Sequence, residues 1–422
     1  MARPVNCNTV VLTIILILFI SPVAADVSGS TAISSGSSPE VTHQPYRIEL
    51  FIPTATMIHS DQIKDQINGL NGNDVLIATS FGLSIYNGNW ETRHMNLDNV
   101  SAGLLEDYIT AIEYDAKGNL WLGYAGGLQI YNGRSYQTIT DQQLLKNLQI
   151  NDLQRWNNDM WIATGNAGIH RYHDGTWTWF QPMTSSGPGF YEIDSMVVDP
   201  AANAMLIATN DAGLWIIRSP EEPIRFELLA GKYTPNGQME HVRRDPLGGA
   251  YFFDKNTVVH YREDTGFVPV LTIKDLSPGN IGINDISAGP DGKLYVATDD
   301  GLFIWENNAV FRHLTRFEGM GSSTVVRTVN VDTQNRVWFS TQGYVGYYVE
   351  KTELDNIIGI ELVTQVQDPS LLQTPPLTGK QATGNPAASS KTSSVAKNSS
   401  IFDPVIGIIN SISGLFGVKI IS

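Results

Sequence analysis

Seven stretches of the chain repeat one pattern, in which a bulky residue is followed by a small one and then by a second strand that a glycine opens. The bulky residues lie 45, 40, 45, 45, 44 and 43 positions apart, and they are Leu76, Trp121, Trp161, Leu206, Tyr251, Tyr295 and Trp338. Repeats of this length are typical of a β-propeller, in which each repeat forms one four-stranded blade. The sequence therefore predicts an all-β fold, a seven-bladed β-propeller with four-stranded blades over residues 46–363.

The residue pattern within each repeat indicates how the blades pack. In the second strand, a small residue such as Ala163 shares a face with the bulky Trp161, so that the next blade can interdigitate with it. In the first strand, apolar residues stand three apart, which puts them on opposite faces of a strand covered on both sides. These first-strand pairs include Ile67 with Leu70 and Ile109 with Ile112.

The third strands open with a glycine at a turn where we expect a positive φ. These glycines are Gly82, Gly127, Gly168, Gly213 and Gly301. Repeats five and seven depart from the pattern, with Phe253 at the small position and with Thr257 and Tyr344 at the glycine position. We interpret both departures as drift of a degenerate repeat.

Each end of the predicted ring offers one candidate for the strand that closes it. Residues 46–52 alternate like a strand, and residues 357–363 do so less cleanly. Closure hides the edge strands of the first and last blades. We therefore expect one of these two segments to supply the outer strand of blade seven.

The N-terminus resembles a secretory leader. Arg3 precedes an apolar run from Val10 to Ile20, and Val23-Ala24-Ala25 fits a cleavage site, so residues 1–25 are predicted to be a signal peptide. An uncleaved anchor is the alternative. Cleavage would remove Cys7, the only cysteine. The mature protein could then form no disulfide and could have neither a catalytic cysteine nor a thiolate metal site. The prediction is an exported protein, extracellular or at the cell surface, in which the Ser-rich residues 26–45 are disordered.

The charge balance and the C-terminal region bound the partners. A formal charge of −15 makes nucleic acid an unsuitable partner, because phosphate neutralisation needs clustered Lys and Arg. Residues 364–400 have the composition of a disordered linker. In residues 401–422, apolar side chains gather on one helical arc, which favours contact with a membrane surface. The alternatives are a helix docked on the propeller and a contact within an oligomer.

The segment Asp115-Ala-Lys-Gly118-Asn119-Leu120-Trp121-Leu122-Gly123 closely resembles the two-component regulator propeller repeat. The stretches at Trp161 and Leu206 are similar to it, and the resemblance covers roughly residues 60 to 350. It implies an extracytoplasmic sensor-type propeller that binds a carbohydrate-type ligand. We find no kinase, receiver or DNA-binding region after the propeller, so signalling would need a separate partner.

Two sets of residues are candidates for ligand contact. The middle residues of the first strands are expected to line the axial channel: Asn68, Thr110, Asn151, Asp194, Glu240, Asn284 and Arg327. Hydration of the channel is the preferred explanation of their polarity, ahead of contact with a ligand. Loops on one face offer aromatic rings beside amides and carboxylates, which suit sugars but also match ordinary turn composition. These loop candidates are Phe81, Asn166, Tyr191, Asp211, Tyr233, Asp299, Asp300, Arg316, Phe317 and Gln342.

Signatures of catalysis or metal binding are poor. His170 and His173 are expected to point apart and to have a surface role, and Asp299-Asp300 lacks the spacing of a calcium loop, so no metal or cofactor is predicted. Seven-bladed propellers similar to streptogramin-type or polysaccharide lyases use His or Glu beside the channel, which would implicate Glu240 or His241.

The first hypothesis is therefore an exported ligand-binding or protein-interaction propeller that recognises a carbohydrate or another envelope component. An extracellular lyase or hydrolase is the alternative, and a structural envelope protein is the third.

Overall fold

Every predicted repeat folds into one antiparallel sheet of four strands, and there are seven such sheets in the described part of the chain. The computed structural model describes residues 45–139, 145 and 148–351. The predicted leader, the linker, the C-terminal tail and the 357–363 candidate strand lie outside these residues. The seven-bladed, all-β fold is thus confirmed.

The blades are numbered here in chain order, so that blade one contains Leu76. The first, innermost strands are Ile63–Asn68, Ile109–Tyr114, Ile150–Trp156, Ser195–Asp199, His241–Arg244, Ile283–Ala288 and Val326–Val331. The second strands are Val75–Thr79, Leu120–Tyr124, Asp159–Thr164, Ala204–Thr209, Ala250–Phe253, Leu294–Thr298 and Val337–Thr341. The third strands are Gly82–Tyr86, Gly127–Tyr131, Ile169–His173, Gly213–Ile217, Thr257–Arg262, Gly301–Glu306 and Tyr344–Glu350.

The fourth, outermost strands are Trp90–Arg93, Tyr136–Thr138, Thr176–Phe180, Glu227–Gly231, Gly266–Thr272, Ala309–Leu314 and, for blade seven, Tyr46–Phe51. Tyr46–Phe51 pairs with Tyr344–Glu350 in an antiparallel register from Tyr46 opposite Glu350 to Phe51 opposite Val345. The N-terminal candidate is therefore the closing strand. Short helical turns at Asn236–Gln238, Ile273–Leu276 and Arg316–Glu318 lie between blades. Within the described ranges, no helix is both long and apolar enough to cross a membrane.

The hydrophobic core is divided into seven layers, each of which lies between two neighbouring blades. In the layer between blades three and four, Trp161 and Ala163 pack together with Met196 and Ile207, as the alternation of large and small residues predicts. The glycines that open the third strands all have positive φ, as predicted. At Gly213, a Cβ atom would lie 2.2 Å from the carbonyl oxygen of Ala230, so no larger residue fits.

One prediction about blade one is wrong in register. In the first strand of blade one, Ile63 pairs with Thr79, just as Ile109 pairs with Tyr124 in blade two. Ile63 and Gln66 therefore occupy the positions that Ile109 and Ile112 occupy in blade two. Leu70, the predicted partner of Ile67, is exposed beyond the end of the strand. The polar Gln66 at a normally apolar position hides the pattern in the sequence.

The departures in blade five follow from a different turn. Asp254 Oδ1 accepts hydrogen bonds from the backbone N–H groups of Asn256 (2.7 Å) and Thr257 (2.8 Å). In blades one, three, four and six, a threonine hydroxyl at the end of the second strand donates to the glycine carbonyl instead, as in Thr79 Oγ1 to Gly82 O (2.9 Å). An aspartate therefore replaces the usual pair of threonine and glycine.

Candidate functional site

The connections between strands divide the propeller into two faces. Loops from second to third strands, and from a fourth strand to the next first strand, share one face, which we call the loop face. The turns from first to second and from third to fourth strands share the other, which we call the rear face. Tyr46 and Glu350, at the paired ends of the closing strand, both lie at the rear edge.

A cavity of about 840 Å³ follows the axis and is lined by the first strands. Three aspartates on these strands join neighbouring blades there. Asp65 Oδ2 accepts the N–H of Ile112 and Asp152 Oδ2 accepts that of Met196, both at 2.7 Å. Asp285 Oδ2 accepts the N–H of Val329 at 3.1 Å. Because both residues of each pair are on innermost strands, these carboxylates link consecutive blades around the channel.

The channel concentrates acidic groups around one arginine. Arg243 Nη2 lies 3.0 Å from Asp285 Oδ1, and the guanidinium group remains partly open to the channel. Burial and the nearby Asp65 carboxylate raise the pKa of Asp152 to about 7. Burial, followed by the Asp65 and Asp152 charges, raises the pKa of Glu113 to about 7. Burial and repulsion from neighbouring carboxylates therefore make these two carboxyl groups hold their protons more tightly than exposed carboxyl groups do.

Five of the seven predicted channel residues line one of two cavities, and Asn284 and Arg327 are not among the lining residues of either one. Thr110, Asn151 and Asp194 line the axial cavity towards the loop face, and Asn68 lines it at the rear end of its strand. Glu240 lines a smaller pocket instead. Because of the register error in blade one, Lys64 and not Asn68 is the equivalent of Thr110.

Several of the predicted channel side chains form hydrogen bonds or ion pairs between neighbouring blades. Asn151 Nδ2 donates to the carbonyl of Ile193 (2.7 Å), and Asn284 Nδ2 donates to that of Val326 (2.9 Å). Arg327 Nη1 lies 3.2 Å from Asp61 Oδ2, across the junction between blades seven and one. Their polarity therefore has a structural explanation in addition to any contact with a ligand.

The loop candidates all lie on the loop face, but they are spread around it. Phe81, Tyr191, Tyr233 and Phe317 are exposed, and they come from blades or junctions on different sides of the ring. Arg316 lies over the ring of Phe317 at 4.8 Å. The exposed side chains of Asn166 and Gln342 belong to blades three and seven. The sequence thus identifies the face and does not identify one compact site.

Two acidic loop candidates, Asp211 and Asp299, hold the local backbone with their carboxylates, whereas Asp300 is engaged through its main-chain carbonyl. Asp211 Oδ2 accepts the N–H of Tyr191 at 3.4 Å. Asp299 accepts the N–H of Gly282 and the amide of Asn284, and the Asp300 carbonyl contacts the imidazole of His313.

A polar pocket of about 360 Å³ lies between blades four and five on the loop face. Its lining includes the ammonium-bearing Lys232 and Lys255, the carboxylates Glu240 and Asp254, and amides. Next to it, burial and the charges of Glu192 and Glu240 raise the pKa of Asp194 to about 7, whereas Lys232 lowers it. The pocket can donate and accept hydrogen bonds and can take charged groups of either sign.

Residues suggested for catalysis do not converge. Glu240 lines the polar pocket, whereas His241 lines the axial cavity, 5.1 Å from the ring of Phe253. Burial and the Arg243 charge lower the pKa of His241 to about 4. Among the residues that the structure describes, no group of three His, Cys, Asp or Glu side chains could hold a metal ion.

The surface role expected for the pair His170 and His173 is wrong for His170. The His170 side chain is fully buried and stacks on Trp179 at 5.7 Å. It lies opposite Ile162, which belongs to the core layer between blades two and three. His173 instead pairs with Asp159, at 2.5 Å between Nδ1 and Oδ1.

Sequence reasoning missed the aspartates that link the blades. The sequence does contain a recurring pattern, in which an isoleucine is followed two positions later by an aspartate. It occurs as Ile63 and Asp65, Ile150 and Asp152, and Ile283 and Asp285. Sequence reasoning also missed a stack of His59 and His94 on the loop face, with ring centroids 4.3 Å apart. No local sequence pattern predicts this contact, since His59 precedes the first strand of blade one and His94 follows its fourth strand.

Exposed apolar side chains are concentrated on the loop face. Among the described residues, eleven of the eighteen exposed large apolar side chains belong to its loops: Ile52, Met57, Phe81, Met95, Leu97, Val100, Tyr108, Met183, Tyr191, Tyr233 and Phe317. The rear face has two, Leu70 and Leu247, and the other five lie on outer strands. Exposed apolar side chains mark an interaction site where they form a contiguous surface, whereas scattered ones are ordinary.

No protein-family model and no curated protein matches the chain. Solved structures do match its fold. One is the extracellular domain of a hybrid two-component system from B. thetaiotaomicron, with a TM-score of 0.54 and 16% identity over 70% of this chain and 40% of that domain. Streptogramin B lyase matches with a TM-score of 0.55 and 11% identity, over 72% of this chain and 98% of the lyase.

A third similar structure is PorZ, a bacterial surface component of the type-IX secretion system of Porphyromonas gingivalis. It matches with a TM-score of 0.53 and 12% identity, over 70% of this chain and 48% of PorZ. The chain spans about two fifths of the sensor domain, and at these identities the likeness concerns the fold. This chain therefore has the propeller fold found in extracellular domains of two-component systems.

Proposed function

We propose that this chain is an exported interaction propeller that binds a component of the cell envelope through its loop face. The observation that carries the proposal is the unequal distribution of exposed apolar side chains, with eleven on the loop face and two on the rear face of the described chain. Apolar side chains cost free energy when they are left in water, and a partner that covers them recovers about 25 cal/mol per Å². The loop face is therefore the surface that gains most from a partner.

The ends of the described chain lie on the face opposite the proposed binding surface. The described chain begins and ends at the rear face, where the N–H of Lys351 donates to the carbonyl of Pro45 at 3.0 Å. A tether that starts at either point starts on the face opposite the loop face. Attachment to a membrane surface through residues 401–422 fits this arrangement, as does export directed by residues 1–25. The extracellular location of the similar sensor domain is in keeping with the same proposal.

Binding of the full-length protein to a glycan array and to isolated envelope fractions tests the proposal. The double variant Tyr233→Ser/Phe317→Ser removes two of the most exposed aromatic rings from the loop face, and Leu70→Ser/Leu247→Ser is the matched rear-face control. We expect the loop-face variant to bind about tenfold more weakly, since exposed aromatic anchors carry much of an interface's affinity. Equal binding by both variants, or no binding by the wild type to either material, would overturn the proposal.

A further inference from the structure

We propose that one sector of the loop face, around blade one, docks a basic and apolar segment of a partner protein. This inference depends on the proposed function and adds the sector and the chemistry of the partner. The sector is formed by residues 52–62, 80–81 and 94–108, and we call it the blade-one surface. It combines exposed aliphatic side chains, a rigid support and an excess of carboxylates.

Seven of the eleven exposed apolar side chains on the loop face belong to the blade-one surface: Ile52, Met57, Phe81, Met95, Leu97, Val100 and Tyr108. Five of the seven are aliphatic or methionine side chains, and Leu97 is 79% exposed. Sugars are recognised mainly by aromatic rings and dense polar groups. Methionine and leucine side chains instead adapt to the apolar side chains of a protein.

The blade-one surface is held together by contacts between its three segments. His59 from the first segment stacks on His94 from the third, and Phe81 from the second lies 5.3 Å from His94. The N–H of Gly82 donates to the carbonyl of Asp107 at 2.7 Å, and Ser60 and Ser80 share a hydrogen bond of 2.8 Å. The three segments therefore present their exposed side chains in one fixed arrangement.

The longest segment is fixed by a buried side chain of blade two. Gln129 Nε2 donates to the carbonyls of Val100 and Gly103, both at 3.1 Å, and Gln129 Oε1 accepts the N–H of Leu105 at 3.1 Å. Gln129 itself is fully buried. A loop that is ordered before binding loses little conformational entropy when a partner docks.

The charges of the blade-one surface favour a basic partner. Its segments contain Asp61, Asp98, Glu106 and Asp107 and neither lysine nor arginine. Three cations lie beside it: Arg327 pairs with Asp61, Lys64 lies 4.9 Å from the centroid of the Tyr108 ring, and Arg93 pairs with Glu91. The balance is still negative, so that lysine or arginine side chains in a partner would be attracted.

The same charge balance argues against two other occupants. A second copy of the chain that docked symmetrically through the same surface would place these carboxylates opposite their own equivalents. The chain's residues 401–422 contain one acidic residue, Asp403, and one basic residue, Lys419, and so offer no net positive charge.

Selection from a random peptide library on the immobilised full-length protein tests the inference. We expect the selected peptides to be rich in Lys or Arg together with Leu, Met or Phe. Their affinity for Met57→Ser/Leu97→Ser should fall at least about tenfold, which corresponds to about 1.4 kcal/mol. The affinity of the peptides for the wild type should also fall as the salt concentration is raised, because exposed charges are screened. Affinity for the rear-face control Leu70→Ser/Leu247→Ser should be unchanged.

Three outcomes would overturn the inference. They are selected peptides that are acidic or uncharged, peptides that bind Met57→Ser/Leu97→Ser as well as the wild type, and dimerisation of the wild type that this variant abolishes. Envelope binding separates this inference from the proposed function. If Tyr233→Ser/Phe317→Ser weakens binding and Met57→Ser/Leu97→Ser does not, the loop face remains the binding face and only the blade-one sector is wrong.

Discussion

At the scale of single residues, an aspartate at equivalent positions of blades two and seven stabilises the turn between the first and second strands. Asp115 accepts hydrogen bonds from the N–H groups of Lys117 and Asn119, and from the side chains of Asn119 and Trp121. Burial raises its pKa, but the hydrogen bonds outweigh burial and the pKa is lowered. Asp332 binds the indole N–H of Trp338 in the same way, at 2.8 Å. The spacing from aspartate to tryptophan in the repeat therefore has a direct structural cause.

Replacing this aspartate should destabilise the propeller. In Asp115→Ala, the indole N–H of the fully buried Trp121 and the turn amides lose their acceptor. We expect the free energy of unfolding in urea to fall by about 2–4 kcal/mol, since buried donors left unpaired are costly. The exposed Asp264→Ala should change it by less than about 0.5 kcal/mol. Equal effects of the two substitutions would contradict this role for Asp115.

Residue patterns reveal such local contacts and conceal those between blades. The positive φ of Gly82 or Gly213 could be predicted, because a turn and its glycine are neighbours in the sequence. The recurrence of Asp65 in other repeats is visible in the sequence, but its partner is not, since the N–H group that its Oδ2 accepts belongs to Ile112, 47 positions later. That pairing exists only after two blades have packed against each other.

At the scale of elements, the closing strand is selected by what its side chains contact. Both candidate segments alternate like strands, so alternation alone left the choice open. Phe51, at the end of Tyr46–Phe51, lies 5.3 Å from Tyr86 and 5.1 Å from Trp90 of blade one. It also lies 6.2 Å from Trp338 of blade seven. This aromatic cluster joins the first and last blades across the point where the ring closes.

The cluster predicts that Phe51 contributes strongly to stability. In Phe51→Ala, the cavity would open at the junction between blades seven and one, and we expect a loss of about 3–5 kcal/mol in the free energy of unfolding. Val268→Ala, on the exposed outer strand of blade five, is the control and should have little effect. Urea denaturation monitored by tryptophan fluorescence measures both. A loss below about 1 kcal/mol for Phe51→Ala would show that closure does not depend on this contact.

At the scale of the whole molecule, the ring brings together acidic side chains that are far apart in the sequence. Asp65, Asp152 and Asp285, from blades one, three and six, interact with Arg243 in the axial cavity. Glu113 of blade two lines the same cavity and interacts with Asp65, Asp152 and Arg155. The sequence predicted a polar channel, but the positions chosen for it included Asn68 and Glu240 and not these carboxylates. Ranking the charges requires the distances across the channel, which depend on the closed ring.

This cluster makes a prediction about how stability depends on pH. The pKa of Glu113 is raised from 4.5 to about 7 in the folded protein, so the folded state binds this proton more tightly than the unfolded state does. Between about pH 4.5 and pH 7, stability from this group is therefore lost as the pH rises. Glu113→Gln keeps an oxygen that can accept the N–H of Tyr114 and removes the charge.

We expect Glu113→Gln to exceed the wild type in free energy of unfolding by about 1–2 kcal/mol near pH 8 and to differ little near pH 5. Urea denaturation at the two pH values measures the difference, with the exposed Glu221→Gln as control. The attraction of Arg155 is already contained in the raised pKa of Glu113, where it opposes burial and the charges of Asp65 and Asp152. A variant that is less stable than the wild type near pH 8 would mean that Glu113 is held charged in the folded ring, and that the channel carboxylates are compensated by cations such as Arg155 and Arg243.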